Sequence, residues 1–262
     1  MPTTIINGAT INYEIEGEGQ WLILLHGFGS SLRDWEKHQP VFAEHYRVLS
    51  LDCRGFGQSS RDVGPFSVPQ MALDLRALMD QLEIGRAHFL GYSMGGAVAL
   101  ELGVAQPQRL DRLILVNTWA SFEPNTWGRK REFFVRQLVV RLLSLKAMGK
   151  ILGKRLFGKP GQEELRKTFL ERYNTNSKSV YLALLGTLPK WNVMAQLDAI
   201  SCPTLVLSAE HDYTPLHEKE AYVRLLPDAT LEVMDGTGHG APYERLEWFC
   251  ERIHQFLDTT SS

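Results

Sequence analysis

"GYSMGG" (residues 91–96) sets one serine between glycines two positions away on either side. Upstream, "RAHFL" (86–90) reads as a short buried strand. Downstream, "AVALELGVAQ" (97–106) reads as a helix. A strand that turns directly into a helix and exposes a side chain at the bend strains that residue's backbone. Its neighbours must then be small enough for strand and helix to approach. Gly91 and Gly95 meet that need, and Ser93 stands at the apex of a G-x-S-x-G nucleophile elbow. The strand–turn–helix context separates it from an ordinary glycine-rich turn. Ser93 also falls at a helix N-terminus, where unpaired N–H groups favour developing negative charge.

Working outward, the elbow strand has companions. "WLILL" (21–25), "YRVLSLD" (46–52), "RLILVN" (112–117), "PTLVLSA" (203–209) and "TLEVM" (230–234) are short apolar runs. Helical stretches lie between them, at 67–82 and 217–227, and a last one at 243–257 closes the chain. Strands apolar throughout, alternating with helices, predict an α/β fold: a mostly parallel sheet covered by helices on both faces. "TIINGATINYEIEG" (4–17) alternates around an Asn-Gly pair and predicts a β-hairpin ahead of it. From Trp119 to Leu197 the pattern is helical only. The expected organisation is therefore a core of residues 1–118 and 198–262 with a helical cap, 119–197, inserted in it.

Composition bounds the function. With 262 residues, 44% of them hydrophobic, the chain can bury a sizeable core as one domain. A net charge of −2 and a pI near 6.5 argue against nucleic-acid binding. The start, "MPTTIINGAT", lacks the pattern of a signal peptide, and no apolar run is long enough to span a bilayer. Cys53, Cys202 and Cys250 are scattered, with no CxxC pair, so no metal site is expected. A cytoplasmic protein is the economical expectation. Charge is unevenly spread: residues 128–178 carry a net +10, and the rest of the chain −12. That segment reads either as a solvated basic face or as a docking surface for an acidic partner. Arg129, Lys130, Arg131, Arg136 and Arg141 would make up such a surface. Gly149 and Gly153 interrupt the run and count against a membrane-bound amphipathic helix.

A serine hydroxyl is a weak nucleophile without a base, and the base needs an orienting acid. His239 in "GTGHGAPYE" (236–244) lies just beyond the last apolar strand, in a glycine-rich loop. The other histidines precede the serine, precede that strand, or sit on the closing helix. The acid belongs at the carboxyl end of a strand between Ser93 and His239. Asp111, Asp198 and Asp228 come before strands; Asp212 follows "PTLVLSAEH" directly. Asp235 is the rival, four residues before His239, and Asp212 is preferred on strand-end grounds. A tetrahedral intermediate needs two N–H donors. The amides of Met94 and of Phe28, in "HGFG" (26–29), are placed to supply them, with His26 holding that loop in shape. "DCRGFGQS" (52–59) completes no dinucleotide or phosphate-loop pattern and reads as a packed turn.

Together "HGFG", "DCRGFGQS", "GYSMGG", "PTLVLSAEHDYTP" and "GTGHGAPYE" resemble the α/β-hydrolase superfamily, in its order and over nearly the whole chain. The closest patterns are small serine esterases: carboxylesterases, pimeloyl-carrier-protein methyl ester esterases, 3-oxoadipate enol-lactonases and cofactor-free haloperoxidases. "EHD" departs from the family's Gly-x-x-Asp spelling and makes that loop bulkier. The resemblance implies a hydrolase of a small-molecule ester, working without metal or organic cofactor through Ser93, Asp212 and His239. It also implies a variable cap at 119–197. Trp119, Phe122, Trp127 and Phe133 are candidates for the pocket wall. An acidic acyl-carrier protein is the partner that a basic cap would suit. A lyase or a carbon–carbon bond hydrolase using the same three residues is an alternative within the enzyme class, and a non-catalytic binder on the same fold is the alternative outside it.

Overall fold

The Asn-Gly pair closes a hairpin. Strands β1 (Thr3–Ile6) and β2 (Ala9–Glu16) pair antiparallel across it. Asn7 and Gly8 hold φ of 48° and 77°, the left-handed geometry that a two-residue hairpin turn requires. The computed structural model describes residues 2–124 and 127–258, and within these leaves out the side chains of Arg129 and Glu132.

Six further strands follow: β3 (Trp21–Leu25), β4 (Arg47–Leu51), β5 (Ala87–Tyr92), β6 (Leu110–Val116), β7 (Thr204–His211) and β8 (Ala229–Gly238). They form one eight-stranded sheet in the order β1-β2-β4-β3-β5-β6-β7-β8. β2 joins β4 antiparallel, and every pairing from β4 to β8 is parallel. The central strands are apolar at each position because both faces are covered. In β3, Leu22 and Leu24 enter one core, Ile23 and Leu25 the other.

The described residues form ten α-helices: α1 (Gln39–Ala43), α2 (Val68–Gln81), α3 (Met94–Ala105), α4 (Trp127–Leu142), α5 (Leu145–Leu156), α6 (Glu163–Tyr173), α7 (Lys178–Thr187), α8 (Leu216–Val223), α9 (Ala241–Glu244) and α10 (Leu246–Leu257). α2 and α3 cover one face, α1 and α10 the other. α2 shows why its residues make a helix. Ser67 Oγ accepts the Gln70 N–H at 3.3 Å, Pro69 sits in the first turn, and Val68, Met71, Leu75 and Leu78 line one buried stripe. Residues 52–59 are a packed turn around Asp52, whose carboxylate accepts N–H groups of Leu32, Gln58 and Asn12 at 2.7–2.8 Å.

Between β6 and β7 lie α4 to α7. Among the described residues their one β contact is an isolated bridge, Ser121 to Asn192, where the segment leaves and re-enters the sheet region. Gly149 and Gly153 do more than interrupt a pattern. A Cβ at Gly149 would stand 2.7 Å from the Tyr173 ring, and one at Gly153 3.2 Å from that of Phe169. The two glycines let α5 and α6 close on each other. No helix among the described residues is long and apolar enough to cross a membrane.

The elbow depends on close approach, and that can be tested by adding one methyl group. A Cβ on Gly95 would lie 2.2 Å from the Leu25 carbonyl oxygen, whereas one on Gly186, also helical, meets nothing within 4 Å. Gly95→Ala is expected to destabilise by about 1–3 kcal/mol through overpacking. Gly186→Ala is expected to be neutral or to stabilise by up to about 1 kcal/mol through helix propensity. Urea denaturation midpoints of the two variants check the contrast.

Candidate active site

β5 ends at Tyr92 and α3 begins at Met94, so a single residue makes the turn. That residue, Ser93, holds φ 52° and ψ −115°, a conformation side chains rarely adopt. Its N–H is fixed by the Val116 carbonyl at 2.8 Å. Gly91 leaves room for Gly96, where a Cβ would come within 2.5 Å of the Gly96 Cα. Gly96 in turn lies against Thr118, a contact that the spacing of G-x-S-x-G does not announce.

Three strand ends bring the expected partners to the serine. His239 follows β8, and its Nε2 stands 3.2 Å from Ser93 Oγ. Asp212 follows β7, and its Oδ1 accepts from His239 Nδ1 at 2.7 Å. Nδ1 therefore carries the ring proton and Nε2 offers its lone pair toward the serine. Asp235 is exposed on β8, and among the described residues it makes no contact with His239. The loop after β3 backs the serine: a Cβ on Gly27 would lie 3.6 Å from the Ser93 Cβ. Phe28 and Met94 both line the cavity with Ser93, and Met94, first residue of α3, has an N–H without an intrahelical acceptor. His26 is buried and ties two loops, its Nε2 accepting the Cys53 N–H at 3.0 Å and its Nδ1 donating to the Gly27 carbonyl at 2.8 Å.

The wall holds residues that sequence reasoning missed. Lys219 of α8 is fully buried, and its Nζ donates to Asp212 Oδ2 at 2.6 Å, to Ser208 Oγ and to the Thr214 carbonyl. Thr214 also donates to Asp212 Oδ2. Burial opposes ionisation of Asp212, but the charges and hydrogen bonds of His239 and Lys219 hold its carboxyl well below the usual carboxylate range. Burial likewise pushes Lys219 down, and the Asp212 charge resists that. The backbone carbonyl of His239 is clamped by Asn117 Nδ2 at 2.8 Å and Tyr92 Oη at 3.1 Å. Asn117 directly follows β6 and Tyr92 ends β5, so the sheet itself sets the height of the imidazole.

Tyr213 is the unexpected neighbour. Its hydroxyl lies 2.9 Å from His239 Nε2, nearer than Ser93 Oγ, and the two rings are 4.1 Å apart. The Tyr213 residue as a whole is 37% exposed, but desolvation at its hydroxyl and the Asp212 charge raise the phenol above its ordinary value against the pull of Arg136 and Arg155, and the neutral hydroxyl can donate to Nε2. One imidazole lone pair thus faces two O–H groups. Tyr213 directly follows the "EHD" departure, and nothing in the sequence singles it out.

Above the serine is a cavity of about 510 Å³. Trp119, Phe122 and Phe133 line it as expected. Trp127 does not: it begins α4 at 87% exposure and stands in solvent. The basic set divides in the same way. Lys130, Arg131 and Arg141 are exposed, and the Arg129 side chain lies outside the described residues. Arg136 turns inward and lines the cavity, because it shares a stripe with Phe133 and the buried Val140 at spacings of three and four. It does not belong to an outer docking face.

A family model for the alpha/beta hydrolase fold matches residues 20–246. The chain belongs to the α/β-hydrolase family. It is 30% identical over 258 residues to a Caulobacter sp. protein provisionally named carbamate hydrolase RutD, with 94% of each chain covered. It is 29% identical over 242 residues to 3-oxoadipate enol-lactonase 2 of Acinetobacter baylyi, covering 90% of this chain and 88% of that protein. The crystal structure of the enol-lactonase from Burkholderia xenovorans superposes with a TM-score of 0.88 at 26% identity, over 98% of this chain and 99% of that one. With this fold and these relatives, the chain is a hydrolase of the family.

Lys219→Met leaves Asp212 buried beside a neutral side chain. It is expected to destabilise the fold by about 3–5 kcal/mol, as breaking one side of a buried ion pair does. Lys219→Met with Asp212→Asn should recover much of that loss. The depressed folded pKa of Asp212 gives the sign of the pH effect. Its contribution is present above the unfolded value of about 4 and fades as pH falls from there toward the folded one. The wild-type advantage over Lys219→Met in denaturant midpoint should therefore narrow in acid.

Proposed function

We propose that the protein hydrolyses carboxylic esters through an acyl-enzyme on Ser93, with residues 119–197 acting as a cap over a core of residues 1–118 and 198–262. The observation that carries this reading is the continuous chain of contacts from Ser93 Oγ through His239 to Asp212. In acylation His239 Nε2 takes the hydroxyl proton as Oγ bonds to the ester carbon. The N–H groups of Phe28 and Met94 face the oxygen that becomes negative. Collapse of the tetrahedral intermediate breaks the bond to the alcohol oxygen, which leaves with the proton held on His239. Water then repeats the sequence, releasing the acid and restoring Ser93. Asp212 keeps Nδ1 protonated throughout and stabilises the imidazolium. Lys219 and Thr214, on its second oxygen, keep the carboxylate ionised and aimed.

A lactone is an internal ester, so the same steps serve the chemistry named for the enol-lactonase relatives. The three cysteines are free and buried, which supports a reducing, cytoplasmic setting.

A fluorophosphonate probe should label wild type and fail on Ser93→Ala, which should lose roughly 10⁴-fold or more in ester turnover while staying folded. Asp212→Asn should cost roughly 10³–10⁴-fold, and Asp235→Asn little. Retained labelling in Ser93→Ala, or the reverse order for the two aspartates, overturns the assignment.

Tyr213 makes a separate demand on this mechanism. Its O–H occupies the lone pair that Ser93 needs, so it must yield before the proton can transfer. Removing the competitor with Tyr213→Phe should speed fluorophosphonate labelling of the resting enzyme by about fivefold, the worth of one ordinary hydrogen bond. Slower labelling would mean that the hydroxyl assists catalysis.

A further inference from the structure

Among the described residues, the cavity holds a guanidinium that no carboxylate pairs with. Three arginines line the space above Ser93. Arg172 is paired, with Glu36 and, at 4.0 Å, Asp34. Arg155 lays its guanidinium over the Tyr213 ring at 4.7 Å. Arg136 goes deepest. Its Nη2 donates to Tyr181 Oη at 3.2 Å, its guanidinium carbon sits 5.6 Å from the centre of the Phe28 ring, and its buried Nε has no hydrogen-bond partner. Among the described residues no carboxylate pairs with it.

Burying a cation costs free energy unless a partner offsets it. A guanidinium retained in a largely aromatic cavity, with an N–H unspent, is suited to an anion that arrives from solution. Its planar fork matches a carboxylate with two parallel hydrogen bonds. Tyr181 Oη, already holding one edge of the fork, stacks with Phe28 at 4.3 Å between ring centres. The charge is thereby fixed against the loop that carries one of the two amides facing the ester carbonyl.

Resting on the esterase reading above, we propose that Arg136 is a carboxylate anchor and that the substrate is an ester whose acyl chain ends in a second, ionised carboxylate. The acyl side is favoured by position. The leaving alcohol must lie beside His239 Nε2, where Tyr213 stands, whereas Arg136 stands over Phe28. Arg155, at the Tyr213 wall, adds positive potential to the same cavity.

The test compares two 4-nitrophenyl esters of equal chain length, the hemiester of glutaric acid and the ester of pentanoic acid. Wild type should prefer the anionic ester in kcat/KM. Arg136→Met should lower the anionic-to-neutral ratio by roughly 10–100-fold, the range for a hydrogen bond to a charged group. The loss should fall mainly on KM, and Arg136→Lys should restore part of it. Calorimetry with glutarate itself supplies a readout independent of turnover: it should bind wild type and Ser93→Ala, and bind Arg136→Met at least tenfold more weakly. If Arg136→Met does not fold, Arg136→Gln and Arg136→Lys carry the comparison. A ratio unmoved by replacing Arg136, or glutarate binding indifferent to it, overturns the proposal. Glutarate binding that depends on Arg136, with no hydrolysis and no labelling of Ser93, would keep the anchor and discard the esterase.

Discussion

A central strand and a buried helix meet here with one residue between them, and the geometry of the whole site follows from how tightly they cross. Ser93 takes a left-handed backbone because β5 and α3 leave no other route, and such a residue stores roughly 1–3 kcal/mol of strain. The strain persists because its surroundings permit nothing else. Gly91 meets Gly96, Gly95 meets the Leu25 carbonyl, Gly96 meets Thr118, and the serine N–H is held by β6. The side chain is presented at the carboxyl edge of the sheet, where the loops after β3, β7 and β8 also end. The crossing sets the Ser93 hydroxyl beside the loop after β3 and the first turn of α3, since Gly27 lies against Ser93 and Met94 opens the helix.

The second constraint is electrostatic. Asp212 is buried under the imidazole, where a lone carboxylate would take up a proton. His239 and Lys219 together prevent that, and the lysine is buried as completely as the acid it serves. The pair is fed by three elements: β7 supplies Ser208, the following loop Thr214, and α8 the lysine. Orientation of His239 is thus shared between a charge below and two backbone clamps, Tyr92 and Asn117, above. The imidazole is held through its Nδ1 and its own carbonyl, leaving Nε2 as the one unit with a choice of partner.

Legibility in the sequence divides along physical lines. The hairpin, the sheet strands and the elbow were readable because each rests on local rules: alternation, apolar runs, and glycine where the backbone must approach closely. His239 and Asp212 were readable because they end strands. Lys219 and Arg136 were not, since a charged residue on a helix is ordinarily a solvated one, and only tertiary packing turns these two inward. Arg136 hid among basic neighbours, although Phe133, Arg136 and Val140 fall on one helical stripe. Trp127 is the opposite case, an aromatic at a helix start that stands 87% exposed with Lys130 over its ring. Tyr213 stands next to the "EHD" departure but outside it, and nothing in its sequence position says that its hydroxyl will reach the base.

These observations join in the way charge is distributed around the serine. On the sheet side Lys219 and Asp212 pair with each other beneath His239. On the opposite side, α4 and α5 contribute Arg136 and Arg155 to the cavity with no carboxylate set against them among the described residues, while Arg172 of α6 is already spent on Glu36. The excess positive charge of residues 128–178 is therefore not all surface. Part of it faces the reacting centre across a cavity of about 510 Å³, where the dielectric is low and a single guanidinium acts strongly. Arg136 on α4 and the Asp212–Lys219 pair of the β7 loop and α8 stand on separate elements, and Tyr213, on which Arg136 and Asp212 both act, lies between them.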